Sequence, residues 1–166
     1  MQRNMKMYGP MNALNVDDGS SCWYSDGEEG ATQSLTINFG RSVTPKEIRI
    51  QFQAGFSAET CEIHYACNIN DSSAANAACS AGWELVEEVE TSDTHELQTF
   101  PLHPAKDAAT AMANGKIITT DAMKIVFHDF TDFYGRVTVY RLGVYGTDST
   151  GTPTETIGAS SEKKDG

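Results

Sequence analysis

The stretch His128 to Arg136, HDFTDFYGR, concentrates the side chains of this chain best suited to gripping another molecule. It sets Phe130, Phe133 and Tyr134 among Asp129, Asp132 and Arg136. Aromatic rings and guanidinium groups are what protein interfaces favour at their centres. Gln53 to Ser57, QAGFS, has a similar character, with Phe56 beside Gly55. Phe56, Tyr134 and Arg136 have Gly and polar neighbours, so they read as exposed anchors, with Gln53 and Asp132 supplying polar contacts. For Phe130 and Phe133 two readings stand side by side. They plug the end of a β-core, or they form part of the contact surface.

Other chemistry is thinner. Asp17, Asp18, Ser20 and Ser21 make an oxygen-rich turn, DDGSS. Asp17 and Asp18 are the calcium candidates, but a hard cation takes about six to eight oxygens and two carboxylates make a weak site. A structural turn, with Gly19 at a positive backbone angle and the Asp side chains capping local amides, is the preferred reading. The histidines (His64, His95, His103, His128) are scattered, and an extended strand puts His64 and Cys67 on opposite faces. The four cysteines lack the two close pairs of a zinc site. Cys67 and Cys79 flank a polar loop that a disulfide could close, but reduced thiols are expected. Glu87 and Glu88 alternate across a strand, so they do not face one substrate. No phosphate loop and no Gly-x-Ser-x-Gly elbow occurs. The expectation is a protein with no enzymatic activity and no cofactor.

The elements that must position these residues have period two. Leu35, Ile37 and Phe39 alternate with Thr36 and Asn38, and Gly40 follows as a turn signal. Ile48, Ile50 and Phe52 alternate with Arg49 and Gln51, giving a second strand. Cys61, Ile63 and Tyr65 share a face, as do Met123, Ile125 and Phe127, although Val126 blurs the polar side. Trp83 to Val89 and Glu96 to Phe100 are further strands. In Arg136 to Tyr145 the apolar parity changes between Val137/Val139 and Leu142/Val144, which a bulge near Val139 or Tyr140 reconciles. Lys106 to Asn114 reads as a short helix closed by Gly115. Short strands without long amphipathic helices indicate an all-β sandwich or barrel.

The chain has 166 residues, enough for one domain, with 12 Lys and Arg against 23 Asp and Glu and a formal charge of -11. No Lys or Arg lies between Arg49 and Lys106, and residues 51–100 hold nine of the carboxylates. Such a charge repels phosphate backbones and anionic lipid, so neither nucleic acid nor a membrane is the expected partner. Met1 to Asn12 has no apolar run, and no stretch approaches the ~20 apolar residues of a membrane helix. An intracellular location, nucleus or cytoplasm, is expected. Residues 1–11 read as an extension, 12–146 as the domain, and 147–166, rich in Thr, Ser and Gly, as a flexible or partner-ordered tail.

The order Asp18-Gly19, Trp23-x-Ser25, SLTINFG, EIRIQF, EIHYACN, GWELV and a last strand ending VYG resembles the discoidin, or coagulation factor 5/8 type C, family. The resemblance covers about residues 12–146 and implies a galactose-binding-like antiparallel β-sandwich, or jelly roll. IQFQAGFS, ELQTFPL and MKIVFHDFTDFYGRVTVYRLGVYG are similar to an intracellular group within it, the nuclear-receptor-associated proteins. That likeness implies a repressor that binds a nuclear receptor and hinders its dimerisation, without catalysis. Domains of this family also serve as fixed parts of large assemblies, such as ciliary axonemes and ubiquitin ligases, and as carbohydrate-binding modules. The chain departs from the extracellular members in having no cysteine after Cys79 to clip the two ends. Calcium-binding members often carry a Glu in the last strand where Arg141 stands here. The segments Asn68 to Ala81 and Pro104 to Thr120 look longer than in the receptor-associated group.

Overall fold

The computed structural model describes residues 10–14, 21–25, 32–66, 82–102 and 119–148, and the backbone of two short strands at 153–154 and 160–161. A 3-10 turn, Pro10–Leu14, precedes nine strands: β1 Trp23–Tyr24, β2 Gln33–Phe52, β3 Ala58–Ala66, β4 Trp83–Glu90, β5 Gln98–Pro101, β6 Thr120–Phe130, β7 Thr138–Asp148, β8 Pro153–Thr154 and β9 Ser160–Ser161. All strand pairings among the described residues are antiparallel, in the order β1-β7-β2-β6-β3-β4, with β5 and β9 on β2 and β8 on β7.

The two strands expected on either side of Gly40 are one strand of 20 residues. Gly40 does turn the backbone (φ 68), and Asn38 Oδ1 accepts its N–H at 2.9 Å. The chain bends there without leaving the sheet. Gln33 to Asn38 pair with β6, whereas Val43 to Phe52 pair with β7 and Glu47 to Ile50 also with β5. Strand β2 therefore runs from one layer of the sandwich into the other. Pro45 lies in this strand where its register with β7 is irregular, between Pro45 and Glu47. A residue without an N–H is tolerated at such a place.

Period-two alternation does what it predicts. Leu35, Ile37, Phe39, Ile48, Ile50, Phe52, Cys61, Ile63, Tyr65, Met123, Ile125 and Phe127 all face one buried core. Phe127 joins the two layers. Its ring lies 5.7 Å from that of Trp23 and 6.2 Å, edge-on, from that of Phe52. The parity change in the last strand is a bulge at Tyr140: Gln51 pairs with Arg141 and Phe52 with Val139, leaving Tyr140 unmatched. Burial pushes the Cys61 thiol up to about 12, so it stays protonated.

The acidic stretch gathers on β4, which ends the strand order and carries Glu84, Glu87, Glu88 and Glu90. Glu88 lies directly opposite Glu62 of β3. Like charges along an outer strand discourage pairing with a second copy of the same strand. The segment 106–114 lies outside the described residues. Within 147–166, β8 pairs Gly146–Thr147 of β7, and β9 pairs Ile37–Asn38 of β2.

Candidate functional site

Three connections meet at one end of the sandwich: 53–57 between β2 and β3, 91–97 between β4 and β5, and 131–137 between β6 and β7. Their backbones are tied together. Thr131 N–H donates to Ser57 O at 3.0 Å, Thr138 N–H to Phe56 O at 2.9 Å, and Thr91 N–H to Glu59 O at 2.9 Å. Ser57 N–H donates to Thr131 Oγ1 at 3.0 Å. Asp93 fastens the 91–97 loop, because its Oδ1 accepts from Gly55 N–H at 2.8 Å and from Ser57 Oγ at 2.7 Å. Those two donors hold the Asp93 carboxyl below the usual carboxylate range.

Asp132 organises the aromatic loop. Its Oδ2 accepts from the N–H groups of Tyr134 (3.2 Å) and Arg136 (3.1 Å) and from Arg136 Nε (2.8 Å), while Oδ1 accepts from Arg136 Nη2 (3.0 Å). Its backbone carbonyl takes Gly135 N–H at 3.0 Å, and Gly135 adopts φ 67 to close the turn. The Arg136 fork lowers the Asp132 pKa and raises its own. Arg136 Nη1 donates to Tyr24 Oη at 3.0 Å, and its guanidinium carbon sits 5.3 Å from the Phe56 ring centre and 5.2 Å from that of Tyr134. A second constraint lies at the loop's entrance, where Asp129 is the one non-glycine with positive φ (54) among the described residues. Its carboxylate accepts from Thr60 Oγ1 at 3.1 Å.

The sequence-derived residues thus separate by role. Phe133 is 81% exposed and Tyr134 57%, with their rings edge-to-face at 5.3 Å. Phe130 packs against the core, so the two phenylalanines that the sequence left equivalent face opposite ways. Phe56 is half-buried under Arg136. The Asp132 side chain is only 10% exposed and spends both oxygens inside the loop. Gln53 acts through its backbone: its N–H donates to Thr138 O and its carbonyl accepts from Phe56 N–H, both at 3.0 Å. Sequence reasoning missed Tyr24 and Asp93. The alternation that buries Trp23 puts Tyr24 on the other face, but nothing in sequence points it at Arg136.

Asp17, Asp18, Cys67 and Cys79 lie outside the described residues. Among the described residues no group of three or more His, Cys, Asp or Glu side chains could hold a metal ion. His64 meets Glu62 instead, with Nε2 2.9 Å from Glu62 Oε2, and His128 Nε2 lies 3.4 Å from Oε1 of the same carboxylate. No described helix is long and apolar enough to cross a membrane.

Asp93 and Asp132 make the loop cluster acid-sensitive. Both carboxyls are lowered in the fold, so their stabilisation is complete above the ordinary carboxylate range and is lost as pH falls through the lowered values. The amides of Gly55 and Arg136 should therefore lose exchange protection ahead of Ile125 as pH drops below about 4. Hydrogen exchange, corrected for intrinsic rate, checks this. Constant protection ratios down to about pH 3 would remove the two carboxylates from control of the loops.

A family model described as Sad1/UNC-like C-terminal matches residues 10–148. Nuclear receptor 2C2-associated protein of Bos taurus is 31% identical over 146 residues, covering 88% of this chain and 85% of that protein. Its Homo sapiens counterpart is 30% identical over 146 residues, covering 88% and 86%. Among solved structures, chitosan-binding module 1 of a Paenibacillus sp. IK-5 chitosanase/glucanase superposes with a TM-score of 0.57 at 15% identity, covering 82% of this chain and 84% of that one. The family 32 carbohydrate-binding module of C. perfringens NanJ, solved with galactose, gives 0.54 at 17% identity, covering 81% and 83%. The architecture is thus the discoidin-like, galactose-binding-domain-like β-sandwich fold that the resemblance implies.

Proposed function

Since the chain belongs to the Sad1/UNC-like C-terminal family, we propose that it is a non-enzymatic, intracellular protein-binding module whose loop end engages a partner of the nuclear-receptor class. The observation that carries this is the adjacent pair Phe133 and Tyr134, exposed on a turn whose backbone Asp132 pins. Exposed aromatics on a rigid loop lose little entropy on docking and are the usual energetic centre of an interface. The receptor class comes from relatives named nuclear receptor 2C2-associated protein. The charge of -11 disfavours nucleic acid and anionic membrane as alternatives.

Joint replacement Phe133→Ala and Tyr134→Ala tests the reading. Affinity for purified nuclear receptor 2C2 is expected to fall by about 30-fold or more, the effect of losing one hot spot. The unfolding midpoint should stay put, because neither side chain belongs to the core. Receptor binding that is indifferent to both substitutions excludes this loop as the contact.

A carbohydrate reading has support in the solved sandwiches of chitosan- and galactose-binding modules. Sugar sites need free polar groups converging beside an aromatic face. Here Arg136 and Asp132 bond each other, which leaves few groups for hydroxyls. A glycan array with wild-type protein separates the readings: retention of any sugar that Tyr134→Ala abolishes would favour the lectin.

A further inference from the structure

Resting on the loop-end reading above, we infer that the partner segment is a peptide whose apolar side chain is flanked by Lys or Arg. The first ground is that Arg136 is already neutralised. Two of its guanidinium nitrogens bond Asp132, the third bonds Tyr24, and its faces lie against Phe56 and Tyr134. Its charge is thus already met by a carboxylate inside the loop, so a second carboxylate or phosphate from the partner gains less from it. The exposed tip beyond it, Phe133 and Tyr134, offers apolar and π surface.

The second ground is the rim on the β3–β4–β6 side of that tip. Glu59, Glu90, Asp93 and Asp129 are all exposed there. Local bonds and pairings place them together: Glu59 O accepts from Thr91 N–H, Glu90 pairs with Thr60, Asp129 accepts from Thr60 Oγ1, and Asp93 holds Gly55. Arg141 of β7 pairs with Gln51, on the other layer. An arriving chain therefore meets aromatic surface bordered on one side by four carboxylates. An apolar residue covers the rings, and basic neighbours meet the rim. An acidic flank would be repelled, and like-charge contacts across an interface are costly.

The probes are two sets of short fluorescent peptides with the same Leu- and Phe-containing cores, one flanked by Lys and Arg, the other by Glu and Asp. Binding to the full chain is read by anisotropy at low and physiological salt. The basic-flanked set should bind about tenfold or more tightly than the acidic set and weaken as salt rises. Glu59→Gln with Glu90→Gln should reduce that preference several-fold, as neither side chain holds a loop together. Equal binding of both sets, preference for the acidic set, or no binding of either at about 1 mM overturns the inference. Loss of the charge preference with retained sensitivity to Phe133→Ala and Tyr134→Ala leaves the loop-end reading standing. Basic-peptide binding that ignores those two substitutions sinks both.

Discussion

Phe127→Ala is expected to destabilise the protein by about 3–5 kcal/mol, the cost of emptying a large aromatic site in a close-packed core. Phe127 is fully buried and touches Trp23 from β1 and Phe52 from the far half of β2. It is therefore a contact between layers, and removing it leaves a gap that two paired strands cannot close by moving together. Domains of this kind hold only ~5–15 kcal/mol in total, so the variant should sit near its unfolding threshold. Urea unfolding reads the loss as a lower midpoint at constant slope. Phe133→Ala is the control: with the residue 81% exposed, it should stay within about 0.5 kcal/mol of wild type. Similar losses in the two variants would contradict the assignment of one phenylalanine to the core and the other to the surface.

Gly146→Ala is expected to cost about 1–3 kcal/mol or more, by a different route. A Cβ at that position would stand 2.1 Å from the Thr44 carbonyl oxygen and 3.0 Å from Pro45 Cα. Both obstacles are backbone, so no rotamer change relieves them. Gly146 pairs with Pro45 on one side and with Thr154 of β8 on the other. The chain can make room only by separating β7 from β2. Faster amide exchange should accordingly appear along Val144 to Asp148 and in the facing residues around Thr44. A variant with wild-type stability and exchange would show that the close approach of Gly146 to Thr44 is not maintained in solution.

Much of this architecture is legible because burial on one face leaves a two-residue signature. The parity of Ile48-Ile50-Phe52 and of Met123-Ile125-Phe127 identifies the core residues, and the broken parity narrows the bulge to Val139 or Tyr140, of which the pairing with β2 selects Tyr140. The continuity of β2 is not legible. Gly40 and Pro45 are both punctuation in sequence, yet the strand absorbs one as a bend and the other at a register irregularity. In the loops parity stops informing, which is why Phe130 and Phe133 could not be told apart by type. Residue type marks Asp132 and Arg136 as a polar contact and an anchor, but their fork is a geometric fact, and it occupies both Asp132 oxygens inside the loop. Asp93 and Tyr24 lie far along the chain from the groups they hold, Gly55 and Arg136, and no local pattern announces such pairs.

The passage of β2 through both layers has a consequence for how the chain comes to be built. Ile48 to Ile50 can find β5 early, but their other neighbours, Val144 and Leu142, belong to β7 and are synthesised long after them. Until β7 emerges, the nascent protein carries an apolar strand with one open flank, the type of surface on which unfinished chains associate. Pairings so distant in sequence also make for slow closure. The vulnerable period for this protein is therefore its own translation, and the demand it makes on chaperones should scale with the delay before β7 arrives.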